Sequence, residues 1–273
     1  MKVKEFIETL IETITTEYGA NRPLAIAYLV VCALVLIMAI VALVMKIIVF
    51  IRYSKANRMP VSNQMTGLET ARYALDTAGL THIKVRKAGI IREALFGNYY
   101  NVYTKTIYLR SILGKIDNKK SVTSTALALQ KVGLAKLCEE GDKKTLIRNT
   151  LSLIGVFGPF LFIPLILIGG VLDYYVLKTD GKIAGMCIVL GVLFMIAGFI
   201  VTALNIPVEK KANQRALEMI EEYDLATPQE REVMKNVFDT YIISYICDFI
   251  LEILRIVQWV LQIVMKAQSS KNK

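Results

Sequence analysis

The chain carries one histidine, His82, among 273 residues, and that scarcity excludes a good deal of chemistry. A zinc centre built on imidazoles takes two or three of them, and a Ser-His-Asp or Cys-His centre takes one set against a nucleophile. His82 stands in "GLTHIKVRK", after a helix-like stretch and at the start of a strand-like one, which is a place for a surface or interface histidine rather than a catalyst. Cysteine is sparse too. Cys32, Cys138, Cys187 and Cys247 lie far apart, three of them inside apolar runs and none in a C-x-x-C pair, so they read as reduced packing residues and not as disulfides or metal ligands. No G-x-x-x-x-G-K-[ST] loop is present to cradle a phosphate. Charge is short as well: 21% of residues are charged against 55% hydrophobic. A mean hydropathy of +0.48 is too apolar for an ordinary soluble domain of this size.

What the sequence has in excess is the long apolar run. Residues 23–51, "PLAIAYLVVCALVLIMAIVALVMKIIVFI", exceed the roughly 20 apolar residues that cross a bilayer, with Lys46 able to snorkel toward the end that holds Arg52, Lys55 and Arg58. Residues 151–177 form a second span, with Pro159 and Pro164 as expected kinks. After "KTDGK" a third runs over 183–206. The stretch from 52 to 150 is rich in Lys and Arg, which places it in the cytoplasm and the N-terminus outside. Basic loops of this kind account for the net charge of +10 without nucleic acid as a partner. The tyrosines of "GNYYNVYTKTIYLR", interleaved with Lys105 and Arg110, are read as strand packing with snorkelled basic residues, not as a stacking platform for single strands. The last apolar stretch, 237–265, puts Ser244, Asp248, Glu252, Arg255 and Gln262 on one helix face. Charges at membrane depth are costly, so this stripe turns into the bundle of a fourth span or lies along the interface. It is also the feature that admits a transport or channel role.

Between the apolar runs lie polar segments. Residues 3–16 place Val3, Phe6, Ile7, Leu10, Ile11 and Ile14 at steps of three and four, opposite Glu5, Glu8 and Glu12. That makes residues 1–22 an amphipathic, acidic-faced element that packs on the protein's own membrane-proximal surface or docks a partner. In "TGLETARYALDTAGL" Thr66 precedes Glu69 by three residues and Gly79 closes the pattern, giving a helix with both end signals. "HIKVRK" and "NVYTKTIYLR" alternate as strands, and "SVTSTALALQKVGLAKLCEE" returns to helix. The order helix, strand, strand, helix over 52–150 describes a small α+β domain. Residues 207–236 add two helices, one with Pro207 near its first turn and one starting at Thr227.

Three ordered blocks give the chain a resemblance. "MTGLETAR" supplies Met65, Thr66, Gly67, Glu69, Ala71 and Arg72; "ALALQKVGLA" supplies Val132, Gly133 and Ala135; "NIPVEKKANQRA" supplies Pro207, Val208, Glu209, Ala212, Arg215 and Ala216. Together they resemble the YugP-type putative neutral zinc metallopeptidases, multi-pass proteins of bacterial cell membranes, over most of the chain from about Met65. That family typically reads H-E-V-G-H in the middle block. Here Gln130 and Leu134 stand at the two His positions and Lys131 at the Glu position. Two imidazoles one turn apart bind zinc and the Glu takes a proton from its water; Gln is a poor ligand, Leu is none, and a protonated Lys repels a cation. In the third block Glu209 is where the remaining ligand is expected, and Lys211 replaces an Asp or Asn. The resemblance therefore implies a pseudoprotease: no zinc or other cofactor, and a binding, scaffolding or regulatory role toward a membrane protein, such as an active protease or its substrate. Residual peptidase activity is the alternative within the family. Glu209, left without a metal, needs a counter-charge in a membrane-flanked pocket, and Lys131 and Lys211 are the candidates.

Overall fold

The computed structural model of the protein describes residues 2–18, 21–177, 179 and 181–271. It is predominantly helical with one small sheet, and the chain divides into two compact units. The first comprises residues 1–47 and 246–273, the second residues 48–245. By length and composition, two helices among the described residues are able to cross a bilayer: α2 (Arg22–Ala56) and α8 (Lys182–Glu222).

The first unit holds α1 (Lys2–Tyr18), most of α2 and the second half of α9 (Pro228–Lys271). Two residues of the α1 apolar stripe, Ile11 and Ile14, are buried with Ala25 and Met265, whereas Phe6 and Ile7 stay exposed. Glu8 pairs with Arg22 at 2.6 Å. Further along, Ala42, Cys247 and Leu251 form a second apolar contact. The polar stripe of α9 meets polar groups of α2: Asp248 lies 3.2 Å from Lys46, and the Gln262 amide donates to the Tyr28 hydroxyl at 2.7 Å. Glu252 is half-buried and Arg255 exposed.

The second unit is built on α5 (Val122–Glu139), nearly all of whose residues are buried. Around it lie α3 (Gly67–Thr77), β1 (Lys84–Lys87), α4 (Ile90–Phe96), β2 (Tyr99–Asn101) and β3 (Thr106–Leu109). Thr66 caps α3 reciprocally, its hydroxyl accepting from the Glu69 N–H while the Glu69 carboxylate accepts from the Thr66 N–H. The helix, strand, strand, helix order gains two features here. "NVYTKTIYLR" is not one strand: residues 102–105, the last of them Lys105 with φ 45°, turn it into a hairpin of β2 and β3. A seven-residue helix, α4, crosses between β1 and β3, which pair in parallel with Val85 opposite Ile107, so β3 is the central strand. All four β3 residues are buried.

From α5 the chain continues through α6 (Lys143–Thr150) to α7 (Ser152–Val171), helical through both prolines and ending in a π-helical turn at Leu172–Leu177. The Asp173 carboxylate accepts the N–H groups of Thr179 and Ala184 and so closes the connection to α8. Glycines let α7 and α8 approach: a Cβ on Gly158 would lie 2.6 Å from the Phe194 carbonyl oxygen. The helix expected to begin at Pro207 does not exist as a separate element. Pro207 lies inside α8, which runs unbroken from the apolar stretch into the polar one; the missing N–H removes one intrahelical bond without ending the helix. Likewise, residues 237–265 belong to a single helix that begins at Pro228, capped by Thr227, whose hydroxyl accepts from the Glu230 N–H.

Candidate functional site

Gly133 sets where α5 and α8 meet. A Cβ there would lie 2.7 Å from the Ala212 carbonyl oxygen and 3.1 Å from the Arg215 Cβ, so only glycine allows this approach. Leu134 and Leu137 of α5 pack on Val208 and Ala212 of α8 beside it. The crossing brings residues 130 and 131 against residues 209 and 213. The Gln130 amide donates to the Asn213 side-chain oxygen at 2.6 Å, both residues buried. Lys131 Nζ lies 3.6 Å from Glu209 Oε2, and Arg148 of α6 donates to Glu209 Oε1 at 2.7 Å. Glu209 is 1% exposed and Lys131 7%, so this is an interior three-residue ion cluster, with Arg148 also donating to Asn205 and Asn149.

Burial works against both members of the Lys131–Glu209 pair. It lowers the lysine below its ordinary range, with Glu209 pulling the other way. It raises the glutamate, but attraction from Lys131 and Arg148 outweighs this and holds the carboxyl below the ordinary value. Glu209 is therefore an ionised carboxylate fixed by an arginine, with Lys131 as the weaker and more distant partner. Lys131 borders two cavities. One, of about 240 Å³, also takes in Tyr99, Arg148, Asn205 and Glu209; the other, of about 120 Å³, takes in Asn98, Arg110, Gln130 and Tyr241.

Lys211 is not in this cluster. It pairs with Asp142, the N-cap of α6, which also accepts from the Thr145 N–H. That contact ties the start of α6 to α8 and so helps place Arg148 at the other end of α6. A surface groove of about 460 Å³ lies here, lined by Glu140, Asp142, Lys211 and Arg215; its charges pair with one another. The hydrogen bond from Lys211, then the Thr145 hydroxyl and N–H, push the Asp142 carboxyl down to about 2. A carboxyl depressed in the fold contributes stability above its unfolded pKa and loses it as pH falls through the folded one. The Asp142 contribution is thus expected to disappear between about pH 4 and about pH 2. Thermal midpoints measured down that range should fall less steeply in Asp142→Asn than in the native chain; equal slopes would show that this carboxylate is not coupled to folding.

His82 lies outside the cluster, 3.3 Å from the Glu139 carboxylate and exposed. Arg148, which completes the cluster, has no periodic or motif signal of its own, and Asn213, the partner of Gln130, lies within the third block but not among its matching residues. Arg148 looks like a snorkelling residue before an apolar run, and only the α5–α8 crossing reveals its partner.

The residues of the other blocks have structural work. Gly67 starts α3 directly under the Ile116 carbonyl, where a Cβ has no room. Arg72 donates to the Ile83 carbonyl at 2.7 Å and to Asp76, tying α3 to the start of β1. Arg215 bridges Glu140 and Glu218. At the centre, the donor set does not fit a zinc ion: Leu134 has no ligating atom, the Gln130 amide is turned to Asn213, and both Glu209 oxygens face cations. Among the described residues, no group of three or more His, Cys, Asp or Glu side chains stands together to hold a metal.

The sequence pattern of the family described as "Putative neutral zinc metallopeptidase" matches residues 31–264. Comparison with curated proteins and with solved structures gives no match.

Proposed function

The chain belongs to the putative neutral zinc metallopeptidase family, and from that premise we propose that it is an inactive member, a pseudoprotease that binds and regulates another membrane protein. The observation that carries this reading is the ion cluster. The carboxylate expected to ligate zinc is held by Arg148 at 2.7 Å and approached by Lys131 at 3.6 Å, and the two imidazole positions hold Gln130 and Leu134. A cation in place of a cation keeps Glu209 neutralised and the α5–α8 crossing packed, while removing the means of activating water. Within this proposal the protein sits in the bacterial cell membrane with α2, α7, α8 and the apolar half of α9 as four spans, and residues 52–150 and 207–236 on the cytoplasmic side. The partner is a membrane protein, either an active protease or a protease substrate, held at the retained cleft.

The test is the metal content and peptidase activity of the chain purified in mild detergent without chelator. Zinc well below one ion per chain, unchanged by added zinc, together with no peptide hydrolysis above a detergent blank, is the expected result. About one tightly held zinc per chain with chelator-sensitive hydrolysis would overturn the proposal.

A further inference from the structure

Four large apolar side chains cluster on the surface of the second unit. Ile90 and Ile91 open α4 and are 74% and 75% exposed; Ile112 and Leu113, in the loop after β3, are 52% and 63% exposed. Their proximity is built. The buried Glu93 carboxylate of α4 accepts the N–H groups of Ser111, Ile112 and Leu113 at 2.6–3.0 Å, and the Ser111 hydroxyl donates to the Ala88 carbonyl at 2.9 Å. A buried carboxylate that fixes three consecutive backbone groups holds the loop against α4 and displays the two apolar pairs side by side. Left in water, these side chains forgo the favourable free energy of apolar burial.

The surroundings carry one sign of charge. Between Leu80 and Lys120 there are nine Lys and Arg residues, including the exposed Arg86, Lys87, Arg92 and Lys115, against two acids, Glu93 and Asp117. Both acids are buried, at 3% and 1% exposure, so within this segment the exposed charge is basic, with Lys105 paired to Glu139 of α5.

Two contacts give the height of this patch. The other end of α4, at Leu95 and Phe96, lines a cavity with Ser152 and Gly155 of α7 and with Val201 and Thr202 of α8, where the apolar runs begin and end. The loop is joined to Asn57, which directly follows α2 and lies six residues past the apolar run that ends at Ile51, its amide donating to the Gly114 carbonyl at 3.1 Å. The patch therefore lies within about 10 Å of the level where three helices leave their apolar stretches.

We infer that Ile90, Ile91, Ile112 and Leu113 form a wedge that inserts into the interfacial region of an anionic lipid bilayer, with Arg86, Lys87, Arg92 and Lys115 on its headgroups. The inference rests on the reading that α2 and α8 cross that bilayer. Apolar residues at membrane height with a basic collar match the chemistry of an interfacial anchor.

The test uses the full chain with Trp259→Phe, so that an introduced tryptophan is the sole reporter, in nanodiscs whose acyl chains carry bromine. Ile91→Trp is expected to be quenched by about half in discs containing anionic lipid, the interface depth being about 5–10 Å, and clearly less in purely zwitterionic discs. Tyr73→Trp on α3 should be unquenched in both. Leu36→Trp within α2 reports separately on spanning: if it too escapes quenching, the transmembrane reading itself has failed. If Leu36→Trp is quenched while Ile91→Trp behaves like Tyr73→Trp, the wedge is overturned. An Ile91→Trp signal that is blue-shifted yet unquenched means that protein covers the patch, and quenching equal in both lipids means that the basic collar does not select anionic headgroups; each also overturns the inference.

Discussion

Replacing Glu209 by Gln is expected to destabilise the purified chain by about 3 kcal/mol or more, because it leaves Arg148 and Lys131 buried without a counter-charge. A denaturant titration in detergent, followed through helix content, reads this as a lowered midpoint. Lys131→Met has a much smaller effect. Arg148 keeps the closer contact with Glu209, and an apolar side chain of similar length fills the place of an ammonium that burial already disfavours. Adding Lys131→Met to Glu209→Gln recovers part of the loss by removing one of the two orphaned cations. If Glu209→Gln matched the native midpoint within a few tenths of a kcal/mol, the cluster would not be holding α5, α6 and α8 together, and the idea that cations replaced a metal would fall with it.

The second large effect is at Gly133. Helix propensity alone favours Gly133→Ala by about 1 kcal/mol. The contact reverses the sign. The new Cβ would lie 2.7 Å from the Ala212 carbonyl oxygen, a backbone atom in the middle of α8 that has no rotamer to move away by. The helices must separate, at a cost of about 1–3 kcal/mol, and the Gln130–Asn213 hydrogen bond opens with them. The same titration decides the matter: a midpoint raised by Gly133→Ala would show that the crossing has slack and that the retained glycine is not needed for the fit.

Much of this architecture is legible in the sequence, for local reasons. The Thr66–Glu69 box, the Thr227–Pro228 start and the helix over 121–137 depend on neighbours within four residues, and the structure has α3, α9 and α5 at those places. The family blocks are legible as residue patterns. The short helix α4 is not, because "IIREALF" makes only two turns and its two leading isoleucines read as strand. Nor is the β2–β3 hairpin, whose turn falls on residues 102–105, "VYTK", without an Asn-Gly or Gly-Gly signal. Pro207 points in the opposite direction: a proline beside a polarity change reads as a helix start, and here packing on α5 and α6 holds one helix through it. At the site, the pairing of Lys131 with Glu209 spans 78 positions, and that of Arg148 with Glu209 spans 61. Such partners are set by the angle and depth of a helix crossing. Sequence gives Glu209 the need for a counter-charge, but it does not say that an arginine outside every block supplies the nearer one.

The continuity of α8 has a mechanical consequence. Its apolar half, from Lys182 to about Asn205, and its polar half, which carries Glu209 and Asn213, are one rod of 41 residues, about 60 Å long at 1.5 Å per residue. Pro207, two residues before Glu209, removes one rung of the hydrogen-bond ladder and is the rod's softest point. In the proposed topology a change of bilayer thickness tilts the apolar half, and the difference in angle between the two halves is taken up at this joint. On that topology the carboxylate held by Arg148 stands at the fulcrum, and a change in the surrounding lipid is expected to register there as a change of angle between α8 and α5.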